Sequence, residues 1–154
     1  MRKKDMTGSI KNTMKLVLPS LSVNESMARA AIAAFCSQLD PASTELADIK
    51  CAVSEAVTNC TVHAYRDRVG PIYITVSLSS DGYAKIEIRD RGCGIEDVKQ
   101  ALQPLYTTDA ESERSGLGFT VMESFCDKVK VRSKMGVGTT VTLIKRFGGR
   151  KTDA

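Results

Sequence analysis

From Pro71 to Asp90 the apolar residues recur at every second position. Ile72, Ile74, Val76 and Leu78 alternate with Tyr73, Thr75 and Ser77, and Ala84, Ile86 and Ile88 alternate with Lys85, Glu87 and Arg89. Ser80-Asp81-Gly82 stands between the two runs. A period of two sends one set of side chains to one face of a strand, so the stretch predicts a β-hairpin with one buried face and one polar face. A half-buried sheet needs a cover, and the rest of the chain has to supply it.

The cover is written in a different period. Ser22-Val23-Asn24-Glu25 has the form of a capping box, and Ala28, Ala31, Ile32, Phe35 and Leu39 follow at helical spacing until Asp40-Pro41. A second helix is predicted from Ser43 or Thr44 to about Tyr65, burying Leu46, Ile49, Val53 and Val57. Met14 to Leu18 alternates weakly and stops at Pro19, as an edge strand does. After the hairpin a short helix is predicted from Glu96 to about Leu102. Gln103 to Ser115 has no period and reads as a lid-like loop. Gly116-Leu117-Gly118-Phe119 is predicted to open a third helix with Phe119, Met122 and Phe125 inward. Two strands follow, one at Val129 and Val131 and one from Thr139 to Leu143. The order β-α-α-β-β-α-β-β is not the alternation of a parallel doubly wound sheet. It predicts an α+β, two-layer sandwich whose mixed, mostly antiparallel sheet is covered on one face by helices. Residues 14–145 form the expected domain, with a disordered N-terminal extension at 1–13 and a disordered basic tail at 146–154.

Charge and cysteine usage narrow the function classes. Of the net charge of +4, residues 1 to 12 contribute +3 and residues 145 to 154 another +3, which leaves the body of the chain at −2. Nucleic-acid binding calls for a basic face on the folded part, so no direct nucleic-acid partner is expected. No apolar run approaches the ~20 residues needed to span a bilayer, and the basic residues after Met1 are not followed by an apolar stretch, so a cytoplasmic protein is expected. The five cysteines, Cys36, Cys51, Cys60, Cys93 and Cys126, form no Cys-x-x-Cys pair. Their number is odd, which argues against a disulfide framework or a zinc site. Four fit apolar faces as core thiols; Cys93 lies in a glycine-rich turn.

Within the second helix Glu55, Asn59 and His63 recur every four residues and fall on one face. Three glycine pairs accompany them: Gly92/Gly94, Gly116/Gly118 and Gly136/Gly138. A glycine pair at a helix start lets an anion approach free N–H groups, which is the expected role of Gly116 and Gly118. Asp90, at a strand end before a flexible turn, is placed to accept hydrogen bonds from a ligand's amino group. The Gly-Lys-Ser/Thr of a Walker loop is missing.

Glu55-x-x-x-Asn59, Asp90-x-Gly92-x-Gly94 and Gly116-x-Gly118 resemble, in that order, the three boxes of the Bergerat-type ATP-binding fold shared by DNA gyrase, the Hsp90 chaperone, histidine kinases and the mismatch-repair ATPases. Five stretches narrow the similarity: residues 24–29, 33–41, 53–59, 103–108 and 113–119 resemble the sporulation anti-sigma F factors, bacterial serine-protein kinases. The resemblance runs from about Met14 to Leu143.

The resemblance implies ATP and Mg²⁺ as cofactors. It makes Asn59 the Mg²⁺ ligand, an amide oxygen suited to a hard cation, and Glu55 the general base that takes the proton from the attacking hydroxyl. Asp90 holds the adenine amino group with support from Thr139, while Gly92, Gly94, Gly116 and Gly118 let the backbone approach the nucleotide. Arg114 would meet the γ-phosphate as a planar cation, and Thr107 and Thr108 are further phosphate contacts. Arg29 matches a contact to a sigma factor and to the anti-anti-sigma antagonist, whose serine receives the phosphoryl group; the family is homodimeric. Cys93 replaces the usual small aliphatic residue of its turn, and its thiol is expected near the nucleotide. His63 extends the polar face as a packing or capping residue. Alternatives are a nucleotide-gated sigma-binding module with negligible transfer and a general-stress-type anti-sigma kinase. A histidine kinase is disfavoured, because the single histidine lies inside the first box.

Overall fold

The computed structural model describes residues 6–103 and 110–148, with the backbone alone for 110–117. Five strands make one sheet in the order β1-β2-β3-β5-β4, formed by β1 (Ile10–Pro19), β2 (Pro71–Ser79), β3 (Tyr83–Asp90), β4 (Lys128–Lys134) and β5 (Gly138–Arg146). Every pairing is antiparallel, so the expected mixed sheet is wholly antiparallel. The hairpin pairs Ile74 with Ile88 and Val76 with Ile86, and β5 continues the same rows with Val141 beside Ile88 and Leu143 beside Ile86. These side chains are 4% exposed or less. Each such burial is worth about 1.5–3 kcal/mol, which makes a one-residue slip of register costly.

Helices α1 (Asn24–Cys36), α2 (Ser43–Thr58) and α4 (Ala110–Phe125) cover that face, and the short α3 (Val98–Leu102) follows Asp97, whose side chain accepts from the Gln100 N–H. Ala28, Ile32 and Cys36 from α1, Ile49, Ala52, Val53, Ala56 and Val57 from α2, and Phe119 and Met122 from α4 join the sheet residues in one core. Among the described residues no helix is long and apolar enough to cross a membrane.

Four features differ from expectation. Strand β1 begins at Ile10 rather than Met14. Just before it, Thr7 donates its N–H to Asp81 Oδ2 at 3.1 Å and Ser9 to Ser80 Oγ at 3.1 Å, so the hairpin turn anchors residues assigned to a disordered extension. The Ser22 capping box does not form: Glu25 Oε1 lies 3.3 Å from the Arg29 guanidinium and Oε2 accepts from Thr58 Oγ1 at 3.4 Å, because charged and hydroxyl partners on α1 and α2 are within its reach. Cys51 is exposed, not a core thiol. Helix α4 starts at Ala110, inside the segment read as a loop, so Gly116 and Gly118 lie in a helix interior and their N–H groups do not form the expected helix-start anion site. Interior glycine costs about 1 kcal/mol each relative to alanine, and the position of Gly118 against α2 gives a packing reason for accepting that cost.

Candidate nucleotide site

Helix α2 ends at Thr58 and the chain continues as a π-helical turn, Asn59–Ala64, closed by Tyr65 N–H donating to Cys60 O at 3.1 Å. The wider winding of a π-turn is a local irregularity that recurs at functional sites. Here it sends consecutive residues to different neighbours: Asn59 lies beside Gly118 of α4, and Cys60 turns into the core against Asp90 of β3. The Tyr65 hydroxyl then clamps the end of the turn to the sheet, donating to Pro71 O at 2.6 Å and accepting from Arg91 N–H at 2.7 Å.

On the α4 side, Glu55 and Asn59 converge on Gly118. A Cβ at Gly118 would lie 3.2 Å from Glu55 Oε2 and 3.6 Å from Asn59 Oδ1. The missing side chain is what lets α4 close over both polar groups. Asn59 Nδ2 is buried and has no hydrogen-bond partner among the described residues, a cost of about 1–3 kcal/mol for a group kept from water without compensation. A buried amide beside a carboxylate is a reasonable donor set for a cation with its own bound waters and phosphate ligands.

On the β3 side, Asp90 is 6% exposed. Its Oδ1 accepts from Gly92 N–H at 2.9 Å and from Thr139 N–H at 3.2 Å, whereas among the described residues its Oδ2 accepts only the thiol of Cys60 at 3.6 Å. Burial raises the Asp90 carboxyl above the ordinary carboxylate range, and the bonds from Gly92, Thr139 and Cys60 act against that rise. Thr139 supports Asp90 through its backbone; its hydroxyl lies 2.7 Å from Ser133 Oγ, which also accepts from Ile95 N–H at 2.7 Å. Gly92 is required by contact, since a Cβ there would overlap the Ala64 carbonyl, and Gly94 by a φ of +81° with the Lys134 carbonyl against it. The turn is held to the π-segment by Cys93 N–H donating to Ala64 O at 3.1 Å, while the Cys93 thiol lies 3.5 Å from His63 O.

Of the expected site residues, the structure therefore gathers Glu55, Asn59 and Gly118 on one side and Asp90, Gly92, Gly94 and Thr139 on the other. Thr107 and Thr108 lie outside the described residues, as do the side chain of Arg114 and the surroundings of Gly116 beyond its helical backbone. Arg29 stands on the α1–α2 seam, its guanidinium 3.1 Å from Ser54 Oγ and 3.3 Å from Ser26 Oγ. Ser133 and Cys60 are additions. Ser133 has no sequence signal, and Cys60, read as a core thiol, is buried in the core as expected, while its bond to Asp90 has no signal in the sequence.

Comparison with known proteins shows the family. The family model of the histidine kinase-like ATPase domain matches residues 18–145. An anti-sigma F factor of Caldanaerobacter subterraneus subsp. tengcongensis is 53% identical over 137 residues, covering 89% of this chain and 95% of that protein. Its counterpart in Bacillus subtilis is 48% identical over 143 residues, covering 92% and 97%. Among solved structures, the RsbU and RsbW domains of a Mycobacterium tuberculosis protein superpose with a TM-score of 0.66 at 22% identity, over 89% of this chain and 33% of that one. At that identity the likeness is one of fold. The chain belongs to the histidine kinase-like ATPase family and, within it, to the anti-sigma F factors.

Proposed function

We propose that the protein is an ATP-dependent serine-protein kinase that also binds a sigma factor, holding it inactive in the ATP-bound state and phosphorylating a serine of an anti-anti-sigma antagonist. The observation that supports this best is the convergence of Glu55 and Asn59 on Gly118, one residue away in the chain from the Cys60 contact to Asp90. Asp90 Oδ2 is the carboxylate oxygen left for an adenine amino group, Asn59 would hold Mg²⁺ through its amide oxygen, and ATP·Mg²⁺ supplies the phosphoryl group and the charge that offsets it. Glu55, one turn before Asn59, accepts the proton of the serine hydroxyl. Most of the remaining catalysis in such a transfer is positioning, and the residues proposed to supply it at the phosphates are Thr107 and Thr108 together with Arg114 and Gly116 of α4.

The partner surface of this reading is the start of α1. Leu21, Val23 and Met27 are 43%, 73% and 51% exposed there, close to Arg29. Arg29 bonds Ser54, the residue before Glu55, which supports a partner contact close to the proposed base. The protein is expected to act as a homodimer.

Incubation of the purified protein with radiolabelled ATP, Mg²⁺ and the antagonist tests the proposal. Label on an antagonist serine is expected. A chain that binds nucleotide and sigma factor but leaves the antagonist unlabelled would be a nucleotide-gated binder instead.

A further inference from the structure

The two oxygens of Asp90 are not equivalent. Oδ1 is occupied by two backbone N–H groups that the fold cannot withdraw, while among the described residues Oδ2 has a single partner, the Cys60 thiol at 3.6 Å. A thiol is a weak donor, so it can satisfy a buried oxygen between ligands and give way to a stronger N–H donor at small cost. A hydroxyl in the same place would compete in earnest, because hydrogen bonds to a charged group are among the stronger ones in proteins. Cys60 is 3% exposed, and its thiol is raised well above its ordinary range, first by burial and then by the Asp90 charge, so it remains a donor rather than a thiolate.

We infer that Cys60 is a positioning residue for base recognition: its thiol holds Asp90 Oδ2 as a free-standing acceptor that a purine 6-amino group takes over on binding. The inference deepens the nucleotide reading above and rests on it. It follows that residue 60 sets how strongly the site prefers a base with an exocyclic amino group. A purine lacking that group leaves the thiol bond in place and gains nothing from Oδ2.

Equilibrium binding of ATP and of purine riboside 5′-triphosphate, which lacks the 6-amino group, to the native protein, Cys60→Ser and Cys60→Ala tests this. The native protein is expected to prefer ATP by about tenfold or more, the worth of one good hydrogen bond. Cys60→Ser is expected to bind ATP about tenfold more weakly with the analogue unchanged within twofold, and Cys60→Ala to retain or raise the preference for ATP. Equal losses for both nucleotides in Cys60→Ser, with Cys60→Ala also weakened on both, would mean a packing role and overturn the inference. Equal affinity of the native protein for the two nucleotides would overturn it by removing Asp90 Oδ2 from base recognition, while nucleotide binding itself stands. Failure of the native protein to bind either nucleotide would overturn the wider reading with it. Thermal melting of each variant shows that the fold survives.

Discussion

The two halves of the site are built on opposite terms. Around Asp90 almost every polar group is answered from within: backbone N–H groups fill Oδ1, Ser133 ties Thr139 to Ile95, and Tyr65 bolts the π-turn to the ends of β2 and β3. Around Gly118 a carboxylate and an amide face a helix across a gap the width of a missing methyl group, and the amide nitrogen has no partner among the described residues. A half braced by its own bonds, with Asp90 Oδ2 held by a weak thiol donor, can read a ligand's hydrogen-bonding edge. A half that carries an uncompensated amide holds a reason to accept one. On the proposed function, this difference assigns recognition to the sheet and chemistry to the helices.

The sharpest way to break that division is Glu55→Gln. We expect phosphoryl transfer to fall about 10²–10⁴-fold while ATP affinity stays within about threefold, measured by labelling and by calorimetry; a comparable loss of affinity would put Glu55 in the recognition half. Asp90→Asn should do the reverse. Nucleotide affinity is expected to drop about a hundredfold, the scale of losing a charged acceptor, without a drop in melting temperature at neutral pH. The sign follows from burial: the folded-state carboxyl is raised above its unfolded value, so the stability it contributes is full below the unfolded value and lost as pH rises through the folded one. The neutral amide removes that loss.

Gly118→Ala tests the joint between the halves. The new methyl group gains about 1 kcal/mol of helix propensity but meets Glu55 Oε2 at 3.2 Å, the mobile end of a side chain that can yield. We expect an equal or higher melting temperature with transfer reduced about tenfold; an unchanged rate would show that Glu55 tolerates displacement. The smallest effect lies outside both halves. The Asp81 carboxyl is lowered to about 2, chiefly by the Ser79 hydroxyl, with the N–H groups of Thr7 and Gly8 adding to the effect. Its contribution is present above the unfolded value and lost as pH falls from about 4 toward 2. Asp81→Asn should flatten the melting temperature across that window and, by hydrogen exchange, loosen residues 7–9.

The hairpin, the helical cover and the order of elements were legible in the sequence because each follows from a period that neighbouring residues state together, and the residues of the three boxes were legible as residue types at fixed spacing. What could not be read was set by contacts between distant parts of the chain. Glu25 left its capping box for Arg29 and for Thr58, thirty-three positions away. Residues 7–9 gained order from a hairpin turn more than seventy positions on. Gly118 became part of a helix interior packed against α2. The Cys60–Asp90 bond spans thirty positions and depends on a π-turn that no local pattern announces. Apolar period encodes which face is buried, and so the sequence by itself determined the layers; which polar atom meets which inside them was decided only when the sheet, the π-turn and α4 were brought together.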